Sequence, residues 1–298
     1  MKREAKLVLG GGAAYGLAHI GALEAIAEAF DITGIVGTSM GAIIGGLYAL
    51  GKTPQEILSI ALDSKSELIF NPFKLSRLPL AAATSVRRGL LGRGQLLSLF
   101  NNWTERTLIE ELPMGFVAVA FDLRKSSTVL IDRGPLAMAM RASSSLPLLF
   151  PPHAWGKYLF VDGGVEHPLP LAFADGVPGA FTIAVNVLPP VSAQAERIET
   201  GITEKNRRIW PHQVFIRSVL LNQGYVAIQE MLQRPPDLYI DAHDQSKGFF
   251  DISGARDFYE YGYKAARERI AEGHETGFME RIVERYRNLL ARFGRKAG

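Results

Sequence analysis

The chain has 298 residues, 47% apolar and 21% charged, the balance of a globular protein long enough to bury a sizeable core. A net charge of +3 is too slight to argue for nucleic acid as a partner. The absence of cysteine excludes disulfides and thiolate metal sites and fits a cytoplasmic protein.

The polar Met1–Lys6 stretch passes into a strand-like Leu7–Leu9, without the apolar segment and cleavage site of a signal peptide. Gly10-Gly11-Gly12 follows, and Ile20, Leu23, Ala27 and Phe30 then share one face of a helix predicted over 17–30. From Ile32 to Gly51 there is no charge, a length that would suit a membrane span, and Gly41 and Gly45 have the spacing of paired membrane helices. The stretch divides, however, into a β-branched "ITGIV" and a helix-like "AIIGGLYAL". Gly34, Gly37 and Gly41 would weaken one continuous helix, so a strand over 32–36 and a helix over 40–50 are predicted instead. Gly51 can end that helix, and Thr53-Pro54-Gln55-Glu56 reads as the capping box of the next. Such alternation predicts a mainly parallel sheet covered by helices.

The region 63–100 mixes apolar clusters with Lys65, Lys74, Arg77, Arg87, Arg88 and Arg93. Its plain reading is an insertion of loops and short helices at the sheet edge. Its sharper one is a lid or peripheral membrane contact. Strands follow at 116–121 and 128–132, joined as a hairpin, then a short helix near 136–141, a strand at 158–161 stopped by Asp162-Gly163-Gly164, and a strand at 181–187. Polar sequence fills 192–208. A helix over 212–232, a strand over 237–241 and two helices complete the chain. The last of these, with Phe278, Ile282, Tyr286, Leu289 and Phe293 flanked by arginines, reads as a cover for the core. No repeat divides the sequence, and 1–298 reads as one domain with a motif-bearing core over about 5–190 and an extension over 191–298.

The residues able to do chemistry centre on Gly37-Thr38-Ser39-Met40-Gly41. G-x-S-x-G between strand and helix is the pattern of a nucleophile elbow, whose sharp turn requires small residues two before and two after the serine. The alternative role of Ser39 is an ordinary N-cap. A nucleophilic serine needs a base and an oxyanion hole. Gly10–Gly12 suits the hole. A dinucleotide-binding loop fits less well, because Ala13 and Tyr15 stand where its glycines belong and the second strand does not end in an acid. For the base, Asp162 is set against His153 and His167, with Asp162 slightly ahead. Burial would raise its proton affinity, whereas its plain reading is an Asp-Gly turn.

Taken in order, "LGGGAAYGLAHIGAL", "GIVGTSMGAIIGGLYALG", "RASSSLPLLFPP" and "VDGG" resemble the patatin-like phospholipases, especially the bacterial single-domain members. The resemblance implies a three-layer α/β/α fold, hydrolysis of lipid acyl esters without metal or other cofactor, and a Ser–Asp dyad of Ser39 as nucleophile and Asp162 as base. Gly11, Gly12 and Ala13 inherit the oxyanion hole, with the Met40 N–H added from elbow geometry, and Gly37 and Gly41 shape the elbow. Two positions depart from the family block: Ala13 replaces a glycine and Tyr15 replaces a basic residue. A catalytically idle lipid-binding or regulatory module is the contrasting reading, motivated by that altered block and the basic 63–100 region.

Overall fold

Hydrophobic runs too short for helices and bounded by glycine turns become strands, and the longer periodic runs pack over them as helices. The computed structural model describes residues 2–63, 93–147, 150–188, 211–243 and 254–273. The lid or membrane-contact reading of 64–92, the polar 192–208 and the closing helix built on Phe278–Phe293 lie outside these residues.

Eight strands form one sheet: β1 (Arg3–Leu9), β2 (Phe30–Thr38), β3 (Gly115–Asp122), β4 (Ser127–Ile131), β5 (His153–Trp155), β6 (Tyr158–Asp162), β7 (Phe181–Asn186) and β8 (Leu238–Asp241). Their order is β5-β6-β3-β2-β1-β7-β8, with β4 on β3. Strands β3, β2, β1, β7 and β8 are mutually parallel, while β4, β5 and β6 pair antiparallel. The helices are α1 (Ala18–Ala29), α2 (Met40–Ala49), α3 (Pro54–Leu62), α4 (Arg93–Thr104), α5 (Leu136–Ser143), α6 (Pro211–Gln233) and α7 (Ala255–Ala271).

The uncharged Ile32–Gly51 stretch is thus a core strand and a helix with nearly every residue buried. No helix among the described residues is long and apolar enough to cross a membrane. Ile35 and Ala118 pack into the main core with α2 and α5; the alternate residues Val36, Val117 and Val119 face the other way, under Val177 and Phe173. The predicted capping box is present, Thr53 and Glu56 bonding each other's backbone N–H. Helix α7 from the C-terminal extension lies against α1. A Cβ at Gly21 would stand 1.9 Å from the Tyr259 carbonyl, and one at Gly262 would stand 1.9 Å from the Ala18 carbonyl, so the two helices meet backbone to backbone at these glycines.

Two sequence expectations are adjusted. The helix expected from residue 17 is preceded by a tighter 3-10 turn at Ala13–Leu17 and begins at Ala18. Strand β5 was not expected at all; three residues after a Pro-Pro pair carry no periodicity.

Candidate active site

The register of β3 brings the site together. Its residues 118–122 pair with β4 along one side. On the other side β2 pairs as far as Thr38↔Val119, and β6 takes over at the next residue, Ala120↔Asp162. Strand β2 therefore ends at the elbow just where the antiparallel β6 ends at Asp162, and residues 123 apart in sequence become neighbours. Ser39 Oγ donates to Asp162 Oδ2 at 2.5 Å.

Ser39 has φ 55 and ψ −118, a backbone conformation rare for a side-chain-bearing residue and a store of local strain. What holds it is clearance and one relay. A Cβ on Gly37 would lie 2.6 Å from the Gly41 carbonyl, and one on Gly41 would lie 2.3 Å from the Leu9 carbonyl. The Ser39 N–H donates to Ser143 Oγ at 2.9 Å, and Ser143 Oγ donates to the Val119 carbonyl at 2.6 Å. Helix α2 starts directly after the serine, so its dipole places partial positive charge beside Oγ.

Asp162 is 1% exposed. Its Oδ1 accepts from the Gly164 N–H at 2.8 Å, capping a 3-10 turn over Gly163–Val165. Burial pushes its carboxyl from the ordinary 3.8 up to about 6, against the opposing pull of the hydrogen bonds from Ser39 and Gly164. Gly163 is forced by close approach, because a Cβ there would lie 2.3 Å from the Val119 carbonyl, whereas one on Gly164 would meet the movable Gln223 side-chain amide at 2.6 Å.

The glycine loop passes beside the serine, a Cβ on Gly11 falling 3.3 Å from that of Ser39. Gly11 donates its N–H to the Pro168 carbonyl at 2.8 Å, so in this arrangement it supplies clearance rather than a free donor. Ala13 sits at φ 47, in the left-handed region that favours glycine. Beneath the loop, His19 Nε2 donates to the Gly10 carbonyl at 2.7 Å, and burial lowers its pKa to about 4. Tyr15 is 4% exposed and meets His243 and Phe258 edge-on, so this loop is fastened to the C-terminal extension by aromatic packing. An apolar pocket opens onto Ser39 between Ala13, Met40, Ile43, Leu96, Leu146 and Phe150.

The histidines are placed elsewhere. His167 Nδ1 pairs with Glu230 at 2.6 Å, while its carbonyl accepts from Thr38 Oγ1 at 2.8 Å. His153 lies on β5 opposite Phe160, and burial lowers its pKa to about 4. Among the described residues neither imidazole hydrogen-bonds Ser39, and no group of three His, Asp or Glu is arranged to hold a metal ion.

Ser143 was not singled out from sequence, although it stands in the quoted "RASSSLPLLFPP". The only signal was a run of three serines at the end of an apolar helix. Its neighbours shape the same corner: the Asp162 N–H donates to the Ser145 carbonyl, and buried Arg141 donates to Ser145 Oγ and the Pro151 carbonyl.

Fold and site together define an α/β protein whose strand–serine–helix elbow opens against a buried carboxylate on an adjoining strand. The chain belongs to the patatin-like phospholipase family, whose model matches residues 7–175. It is 36% identical over 198 residues to an uncharacterized NTE family protein of Mycobacterium tuberculosis, covering 66% of this chain and 52% of that one. It is 32% identical over 202 residues to patatin-like phospholipase domain-containing protein 7 of Rattus norvegicus, covering 66% of this chain and 14% of that one. The matches thus span about half or less of these curated relatives. Among solved structures, VipD from Legionella pneumophila is similar with a TM-score of 0.45 at 13% identity, covering 92% of this chain and 67% of that one.

Proposed function

We propose that the chain hydrolyses lipid acyl esters with Ser39 as nucleophile and Asp162 as its base. The observation that carries this reading is the 2.5 Å hydrogen bond from the strained elbow serine to a buried carboxylate. A carboxylate in water is a poor proton acceptor; one lifted to about 6 by burial is better matched to neutral pH. As Oγ attacks the ester carbonyl, Oδ2 takes its proton. The N–H groups of Gly12, Ala13 and Met40 face the developing oxyanion, and Gly11 gives the substrate room. The tetrahedral adduct collapses as Asp162 returns the proton to the departing alcohol or lysolipid. Water then attacks the acyl-Ser39 ester and gives a proton to Asp162, which passes it to the departing Ser39 Oγ as the fatty acid is released. The side chains beside Ser39, among them Ile43, Leu96 and Phe150, are apolar, as contact with an acyl chain requires. Family membership and this apolar pocket support a lipid ester. The replacement of the family's basic residue by Tyr15 leaves ester hydrolysis better supported than a preference for phospholipid.

Fluorophosphonate labelling of Ser39, combined with mass spectrometry of a lipid extract treated with the parent and with Ser39→Ala, tests the reading. Labelling and fatty-acid release that both vanish in Ser39→Ala are expected. An unlabelled, inert parent would instead favour a lipid-binding module without turnover. Asp162→Asn retaining activity while His153→Ala or His167→Ala loses it would transfer the base to a histidine.

A further inference from the structure

Two hairpins leave the sheet on the side toward which the elbow opens. Strand β3 runs three residues past Val119, the partner of Thr38, before turning through 123–126 into β4. Strand β6 begins two residues farther out, because Phe160 is level with Asp122, and a Gly156-Lys157 turn joins it to β5. At roughly 3.3 Å per residue the outermost tip stands about 15 Å beyond the end of β2. The tips are tied to each other: the Arg124 guanidinium donates to the Lys157 carbonyl at 3.0 Å. Both turns are closed by a left-handed residue, Ser126 at φ 52 and Gly156 at φ 57.

The side chains on these tips are of two kinds. Arg124, Lys125 and Lys157 are exposed, and the two ammonium groups lie 5.8 and 5.4 Å from the centroid of the Tyr158 ring, which gathers them into one group. Beside them Leu123 is 45% exposed, and Trp155 and Tyr158 are half-buried around a recess with Phe160 as a buried wall. The acids near by lie inward of the tip side chains and offset part of their charge. Asp122 is buried, with its Oδ1 accepting from the Leu159 and Arg124 N–H groups and its charge attracting Lys125; Glu166 is bonded to Thr128, and Asp132 lines the recess beside Arg133. Neither 123–126 nor 153–158 contains an acidic residue.

We infer that the paired tips are a docking surface for an anionic lipid bilayer. Clustered cations around amphipathic aromatic rings, with an exposed leucine between them, match the charged head groups and the apolar boundary of such a surface. The chain from Phe150 to Tyr158 joins the wall of the Ser39 pocket to the tip, so docking would present the pocket to the lipid. The inference does not depend on turnover and can be tested in the Ser39→Ala chain.

The full-length Ser39→Ala chain is sedimented with vesicles of phosphatidylcholine alone and of phosphatidylcholine and phosphatidylglycerol in equal parts. Binding is expected on the anionic vesicles only and is weakened by salt. At about fivefold per surface charge, Lys125→Gln with Lys157→Gln lowers that binding about 25-fold. Leu123→Asn lowers it further. The same two lysine substitutions in the chain with Ser39 intact leave turnover of a soluble short ester and the melting temperature unchanged, which separates lost docking from misfolding. Equal sedimentation of the doubly substituted and unsubstituted Ser39→Ala chains, or failure of the latter to bind anionic vesicles at low salt, would overturn the inference. The latter result would point to a protein as the partner of these tips.

Discussion

Asp162→Asn separates what the buried carboxylate contributes to chemistry from what it costs the fold. In the native state its pKa is raised by burial from 3.8 to about 6, so the folded chain binds this proton more tightly than the unfolded one. Stability from this group is therefore present below about pH 4, declines as pH rises through the interval to about 6, and is absent above it. At about 1.4 kcal/mol per pH unit, keeping the carboxylate ionised at neutral pH costs about 3 kcal/mol. The group is 1% exposed, so solvent screening does not reduce that figure substantially. Asparagine has the same shape, accepts from the Gly164 N–H through Oδ1 and has no charge to bury. Asp162→Asn should thus be inactive yet more stable, by up to about 3 kcal/mol at pH 7.5, or a rise of several degrees in melting temperature for a chain of this size. Urea unfolding of both forms from pH 4 to 8 measures it: the advantage should grow to about pH 6 and then level off. An Asp162→Asn form less stable than the parent at pH 7.5, or a pH-independent difference, would refute the argument that burial dominates this carboxylate.

The same pKa governs rate: kcat/KM for a soluble ester should be flat above about pH 6 and fall tenfold per unit below it, whereas a flat profile down to pH 4 would exclude Asp162 as base. Ser143→Ala leaves the Ser39 N–H and the Val119 carbonyl without their shared partner, and should lower kcat at least tenfold with little change in KM; partial rescue by Ser143→Thr would mark the hydroxyl rather than packing. Ala13→Gly removes a left-handed alanine and should raise stability by about 1 kcal/mol in thermal unfolding with activity kept. Tyr15→Arg restores the family's charge at a site that is 4% exposed among aromatic rings, and should cost about 3 kcal/mol or more, seen as a large drop in melting temperature.

What was legible in the sequence was local. The elbow could be read because strand, turn and helix are consecutive, and the small residues it demands fall within five positions of one another. The Thr53–Glu56 capping box was readable for the same reason. The mainly parallel sheet followed from alternating elements, and the antiparallel β4 from the hairpin at 122–127, whereas the antiparallel pairing of β5 and β6 did not. Three features of the site were not legible because each depends on how strands are ordered in space. The Gly11 N–H is taken by Pro168, a residue more than 150 positions away. The acceptor for the Ser39 N–H is Ser143, on a helix whose distance from the elbow no periodicity reveals. The substitution at Tyr15, visible as a departure from the family block, gains physical meaning only through His243 and Phe258, which the fold brings back from the far end of the chain.

The order of the sheet also bears on why two residues suffice in the proposed mechanism. In a serine triad the imidazole reaches the nucleophile from a separate loop, and a carboxylate behind it sets its tautomer. Here β6 replaces β2 along β3 within one residue of the elbow, so the carboxylate itself arrives at hydrogen-bond distance and an intervening ring is not needed to bridge a gap. The same replacement buries it against the Val119–Ala120 backbone, where Gly163 is the residue that permits the approach. Burial then supplies the proton affinity that a histidine would otherwise bring. Proximity and basicity thus come from a single topological event. A substitution at Gly163 should impair both at once, because a Cβ 2.3 Å from the Val119 carbonyl would push the end of β6 away from β3 and open the contact to water.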